Sequence, residues 1–79
     1  MVQIGPDRWM ADGRLPLDDL ADTVGHTFPE GPYSTVGGLF LAIAGHIPSD
    51  GHQLTVDGFR MLVMRMDRNR IDRIRIEKL

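Results

Sequence analysis

Three histidines, a short acidic cluster and a glycine pair are the residues of this 79-residue chain whose types bear most directly on chemistry. His26, His46 and His52 have the donor chemistry of a divalent-metal trio. They fall in different loops and element ends, however, and no two share the i, i+4 helical spacing of a paired metal site. His46 is better read as a favourable residue at the negative end of a helix. Asp18, Asp19 and Asp22 place three carboxylates close in sequence, but magnesium demands near-octahedral oxygen ligands and usually keeps several waters. Complementing the positive start of a helix is a sufficient role for them. The hydroxyls of Ser34 and Ser49 have no base at motif spacing, and the chain has no cysteine, so no activated nucleophile is legible and an enzyme reading is rejected. Gly37 and Gly38 stand where a helix begins, and backbone amides there can meet a phosphate or other anion. No Walker or dinucleotide fingerprint surrounds them. Close packing of the helix on a sheet accounts for the pair, since glycine permits backbone approach at a helix-propensity cost of up to about 1 kcal/mol each.

The elements that must position these residues follow from periodicity and turn chemistry. Arg8 to Ala11 reads as a short strand stopped by Asp12-Gly13. Leu17, Leu20 and Val24 fall at helical spacing, with Pro16 at the first helical position, Asp18 and Asp19 in the first turn and Gly25 as the stop, so residues 16–24 form a helix. His26 to Pro32 is a connecting loop, broken by Pro29, Gly31 and Pro32. Ser34 or Thr35 then caps a second helix whose Val36, Leu39, Phe40, Ile43 and Ile47 form an i, i+3, i+4, i+7 stripe facing the core. Leu41, Ala42 and Ala44 extend its apolar surface, so this helix is buried or meets a partner.

After the turn Pro48-Ser49-Asp50-Gly51, three strands are expected at about His52 to Val56, Phe59 to Met66 and Arg70 to Glu77. Asp57-Gly58 signals a tight hairpin, and Asp67-Arg68-Asn69 makes the second reversal with Asn69 left-handed. In the last strand Ile74 and Ile76 share one face, while Arg73, Arg75 and Glu77 share the other, as expected of a sheet covered on one side. The strand from Phe59 to Met66 is apolar on both faces, which marks it as central and most buried. The expected fold is α+β, a small antiparallel sheet in β-α-α-β-β-β order with two helices on one face.

Size and charge bound what such a fold can do. A 79-residue chain makes one domain, residues 1–79, and buries only about 60 to 65% of its unfolded surface. The absence of cysteine excludes a disulfide framework and thiolate metal sites. The longest uncharged run falls short of the roughly 20 residues that span a bilayer, and no leader-like segment opens the sequence, so a soluble domain is expected. The net charge of −2 conceals an asymmetry: residues 1–59 carry Arg8 and Arg14 against eight acids, whereas residues 60–79 carry seven basic residues against three acids. A basic end suits an acidic neighbour or an anionic ligand, although a solvated sheet face with salt bridges explains it more simply. With a single Tyr33 and an acidic overall balance, nucleic acid is not an expected partner.

Taken in order, Asp12-Gly13-Arg14, Leu17-Asp18-Asp19-Leu20, Thr35-Val36-Gly37-Gly38-Leu39, Gly45-His46-Ile47-Pro48, Gly51, Asp57-Gly58-Phe59-Arg60, Met66-Asp67-Arg68-Asn69-Arg70-Ile71 and Arg73-Ile74-Arg75-Ile76 make a pattern. It resembles the transporter-associated domain of the CorC/HlyC family over residues 8–77. The resemblance implies a domain at the carboxy end of a longer protein, after a pair of CBS domains and often behind a membrane domain linked to magnesium and cobalt efflux. Other relatives end cation/proton antiporters or are labelled hemolysins. It therefore implies an accessory cytoplasmic module of an inner-membrane-associated protein, one that regulates or assembles an ion transporter and requires no cofactor. One departure is visible, because the loop before Tyr33 is often strongly acidic in the family and here Pro29-Glu30-Gly31-Pro32 has a single acid.

Two functions of different class are expected from this. The first is a regulatory and interaction domain that docks on the CBS pair, the membrane domain or a second copy, with Leu41, Ala42, Ala44, Arg73 and Arg75 as candidate contact residues. The second is a small-ligand sensor at Gly37 and Gly38. The fold that the family shares with FAD-binding domains suggests FAD or an adenine nucleotide as its ligand by analogy alone, and a divalent cation is the other candidate.

Overall fold

A computed structural model describes all of residues 1–79. The elements are β1 (Val2–Gly5), β2 (Arg8–Asp12), α1 (Leu17–Val24), α2 (Val36–Ala44), β3 (Gln53–Val56), β4 (Phe59–Asp67) and β5 (Arg70–Lys78). All five strands join one antiparallel sheet in the order β1-β2-β5-β4-β3. The expected α+β class and helix-strand order hold, with β1 added at the front. That strand pairs through Val2 with Met10 and Gln3 with Trp9, and turns into β2 around Asp7, whose φ is 57°.

The helices form because their caps and apolar positions agree. Pro16 is the residue before α1 rather than its first helical residue, with extended backbone (φ −57°, ψ 137°), and Leu20 is fully buried. Gly25 stops the helix at φ 70°, a conformation in which glycine has no Cβ penalty. Thr35 caps α2 by accepting the Gly38 amide at 3.0 Å, and Gly45 ends it at φ 76°. Because α2 stops there, the core stripe is shorter than its spacing implies: Val36, Leu39 and Phe40 are buried, whereas Ile43 is 44% and Ile47 56% exposed. Ile47 lies beyond the helix, and Ile43, in its last turn, stands outside the core cluster.

The sheet turns one face to the helices. Trp9, Ala11, Val56, Phe59, Met61, Val63, Ile71, Ile74 and Ile76 point inward to meet Leu20, Phe28, Val36, Leu39 and Phe40. The central strand is β5, not the doubly apolar β4. In β4 the inward set is Phe59, Met61 and Val63, while Leu62 and Met64 emerge on the face that no helix covers, so apolar residues on both sides did not mean burial on both sides. Register shifts on either side of Arg65 then return Met66 to the core side opposite Ile71. The Asp57-Gly58 turn has positive φ at both residues, the type I′ requirement. In the β4–β5 turn the left-handed residue is Arg68 (φ 56°) rather than Asn69. The paired ends are Asp67 and Arg70, so Arg68 is the first central residue, where a II′ turn needs positive φ.

Candidate interaction surface

The start of α2 is tied to the turn after β2. The Gly13 amide donates to Asp72 O (3.0 Å), Gly37 to Gly13 O (2.8 Å), Val36 to Leu15 O (3.0 Å) and Leu17 to Ser34 O (2.9 Å). The glycines permit this approach: a Cβ on Gly13 would lie 1.9 Å from Ile71 O, and one on Gly37 would lie 2.7 Å from Gly13 O. The amides of Gly37 and Gly38 consequently already donate to Gly13 O and Thr35 Oγ1, which satisfies the donors that a helix start otherwise offers to an anion.

The three histidines separate into two places. His26 Nε2 is 3.0 Å from Asp57 Oδ2 and its ring stands edge-on to Phe28, so it ties the loop after α1 to the β3–β4 turn. His46 and His52 come together with ring centroids 5.1 Å apart, and His52 packs edge-on against Phe40. No group of three His, Cys, Asp or Glu side chains gathers in a metal-binding arrangement.

The contact residues expected from sequence lie on two layers. On α2, Leu41 and Ala44 are half-buried against the core and Ala42 is exposed. Arg73 and Arg75, on either side of the inward Ile74, project from β5 on the opposite, open face of the sheet. Here a cross-strand row runs Val2, Met10, Arg75, Leu62, Gln53 through all five strands. The neighbouring row is ionic: Glu77 reaches Arg8 at 3.5 Å and Arg60 at 3.6 Å. Arg65 pairs with Asp72 at 3.0 Å, and Arg14 pairs with Asp12. The Arg14 backbone N–H and then its guanidinium hold the Asp12 carboxyl below its ordinary value, with Arg73 adding attraction. Arg73 and Arg75 themselves have no carboxylate partner within ion-pair distance. Their period-2 placement was visible in sequence; the pairing of Glu77 with Arg8 and Arg60, and the contribution of Val2 and Met10, were not.

Residues 2–79 match the family profile described as the CorC_HlyC transporter associated domain. This chain belongs to that family. The CorC_HlyC domain is similar to a segment of the Mycobacterium tuberculosis UPF0053 protein MT1890, with 37% identity over 90% of this chain but 18% of the relative. A second relative is the magnesium and cobalt efflux protein CorC of Salmonella typhimurium, 27% identical over 94% of this chain and 25% of that protein. The chain thus spans about a fifth to a quarter of the curated relatives it matches. Among solved structures, the CorC_HlyC domain of a Xylella fastidiosa hemolysin in complex with Mg++ and Mn++ aligns at TM-score 0.87 and 29% identity, covering 100% of this chain and 96% of that one. A Corynebacterium glutamicum CorC_HlyC domain aligns at TM-score 0.94 and shares the fold at 24% identity, with 99% and 97% of the two chains covered. This CorC_HlyC domain contains no helix long and apolar enough to cross a membrane.

Proposed function

We propose that the chain is a non-catalytic regulatory and interaction domain of a membrane-associated magnesium and cobalt transport or efflux protein. It acts on the cytoplasmic side, docking on the CBS-domain pair or membrane domain of the parent protein and modulating transport or assembly. The observation that carries this reading is family membership together with the likeness to CorC, in which the matching segment is one quarter of a protein named for efflux. The arrangement of the side chains agrees with it, because Arg73 and Arg75, without a carboxylate partner, stand beside exposed apolar side chains such as Val2 and Met64, a combination suited to contact. The test is a parent protein from which these 79 residues are deleted, compared with the intact protein for cobalt tolerance and magnesium efflux in cells at matched membrane abundance. Altered flux, or altered response of the flux to magnesium, is the expected result. Unchanged flux and unchanged response would refute the reading.

A second reading draws on the Xylella domain in complex with Mg++ and Mn++. On this reading the chain itself binds a divalent cation weakly through exposed carboxylates, and the ion biases docking. Titration with magnesium chloride, followed by amide shifts, is expected to move a contiguous set of resonances near acidic residues. A response no larger than that to an equal ionic strength of sodium chloride would dispose of it.

A further inference from the structure

Resting on the interaction reading above, we propose that the open face of the sheet docks an acidic amphipathic helix of the parent protein. Arg73 and Arg75 receive two of its carboxylates, and Val2, Met10, Leu62 and Met64 cover its apolar flank. The domain has two layers, helices and sheet, so one sheet face lacks a cover. A face meant only for water alternates to polar residues. Here Val2, Met10 and Leu62 lie in one row, with Val2 64% exposed, and Met64 is 43% exposed beside them. Ile4, at 48% exposure, continues the patch at the β1 edge. Methionine side chains are flexible and polarizable, and they adapt readily to an incoming apolar surface.

The arginines specify the chemistry of the occupant. In the middle of this face Arg8 and Arg60 share Glu77 and Arg65 holds Asp72, whereas Arg73 and Arg75, beside the apolar row, have no carboxylate. Arg68 and Arg70, in and next to the β4–β5 turn, have none either. Arg75 is half-buried between Met10 and Leu62, where apolar neighbours reduce competition from water for an incoming anion. The two residues sit two apart on a strand that pairs regularly with β2 there, so their side chains leave the same face about 6 to 7 Å apart. Carboxylates at i and i+4 on a helix have Cβ atoms about 5 to 6 Å apart, so one helix can present an acid to each guanidinium. A lipid surface is a poorer occupant: of the four arginines without a carboxylate only Arg73 and Arg75 stand beside the apolar row, Arg68 and Arg70 lie at the β4–β5 turn, and Glu77 and Asp12 interrupt the field. Nucleic acid lacks a stacking platform, because the only tryptophan, Trp9, faces the core.

The test is photocrosslinking in the whole parent protein in cells, with a benzophenone side chain at position 64 on the open face or, separately, at position 22 on the helical layer. Adducts are identified by mass spectrometry from cells mixing isotopically light and heavy protein, which separates self-contacts from others. The expected adduct at position 64 is a peptide of the same parent, outside this domain, with two acids one helical turn apart. Arg75→Glu is expected to lower its yield at least tenfold and Arg75→Lys less than threefold, with circular dichroism melts showing that both variants remain folded. Adducts to lipid, to this domain of a second copy or to a peptide without acids, or insensitivity to Arg75→Glu, would overturn the proposal. Adducts at position 22 alone would overturn the choice of surface while leaving the interaction reading standing, and none at either position would count against both.

Discussion

Gly37→Ala tests the account of how α2 is seated. In an ordinary helix this replacement is favourable by about 1 kcal/mol, because alanine has the higher propensity. At position 37 the new Cβ would lie 2.7 Å from Gly13 O, inside the 3.0 Å that real Cβ contacts respect, and that oxygen accepts the 2.8 Å hydrogen bond from the Gly37 amide. The neighbour is backbone, tied through the Gly13 amide to Asp72 O in β5, so it cannot swing aside as a long side chain would. Overpacking of this kind costs about 1 to 3 kcal/mol, and lengthening the hydrogen bond adds about 0.5 to 1.5 kcal/mol. Setting the propensity gain against these gives a net loss of about 0.5 to 3.5 kcal/mol. For a domain of this size that lowers Tm by about 2 to 28 °C. The assay is urea and thermal unfolding followed by the fluorescence of Trp9, which is buried in the native core. Ala42→Gly, at an exposed position of the same helix, calibrates the propensity term and is expected to cost about 1 kcal/mol. If Gly37→Ala instead stabilises the protein by about as much as Ala42→Gly destabilises it, the close approach to Gly13 is wrong.

Three further outcomes are expected. Leu39→Ala, at a fully buried site, should cost about 2 to 5 kcal/mol. Ile43→Ser, at a site 44% exposed, should cost about 0.5 kcal/mol or less; equal costs by urea titration would restore Ile43 to the core. Thr35→Ala removes the side-chain acceptor for the Gly38 amide and should lower stability by about 1 kcal/mol, with Thr35→Ser recovering most of the loss in the same titration. The folded state holds Asp12 below its ordinary value of 3.8, so its stabilising effect is complete above that pH and disappears as pH falls through the lower folded value. Asp12 is largely solvated, so the effect is small. Asp12→Asn should flatten only that acid limb of the stability profile, and an unchanged acid limb would contradict the hydrogen bonds assigned to Arg14.

Much of this architecture was legible because short-range signals agreed with one another. Thr35 before Val36, Gly45 after Ala44 and Asp57-Gly58 between two apolar runs each dictate a local geometry that the fold uses without conflict. The omissions arose where a local signal was too short or the deciding interaction was distant in sequence. β1 has only four residues, and its signal, the alternation of Val2 and Ile4 before the Gly5-Pro6-Asp7 turn, is too short to stand against a loop reading without β2 beside it. The central place of β5 depends on its pairing with β2, more than sixty residues away, which no periodicity within β5 encodes. The same distance concealed Glu77 between Arg8 and Arg60, so the arginines of the last strands could be assigned a face but not sorted into paired and free.

Of the five strands, the last to leave the ribosome is the one on which both halves of the sheet depend. Until residues 70–78 are available, β1 with β2 and β3 with β4 are separate hairpins, each exposing the edge that β5 will occupy. Isolated hairpins are marginal in water, and exposed edges invite wrong partners. Folding of this domain during synthesis is therefore late and abrupt rather than progressive, and truncation within β5 removes the template for the whole sheet. A nascent chain stalled before residue 70 should accordingly be protease-sensitive throughout, in contrast to one in which β5 has emerged.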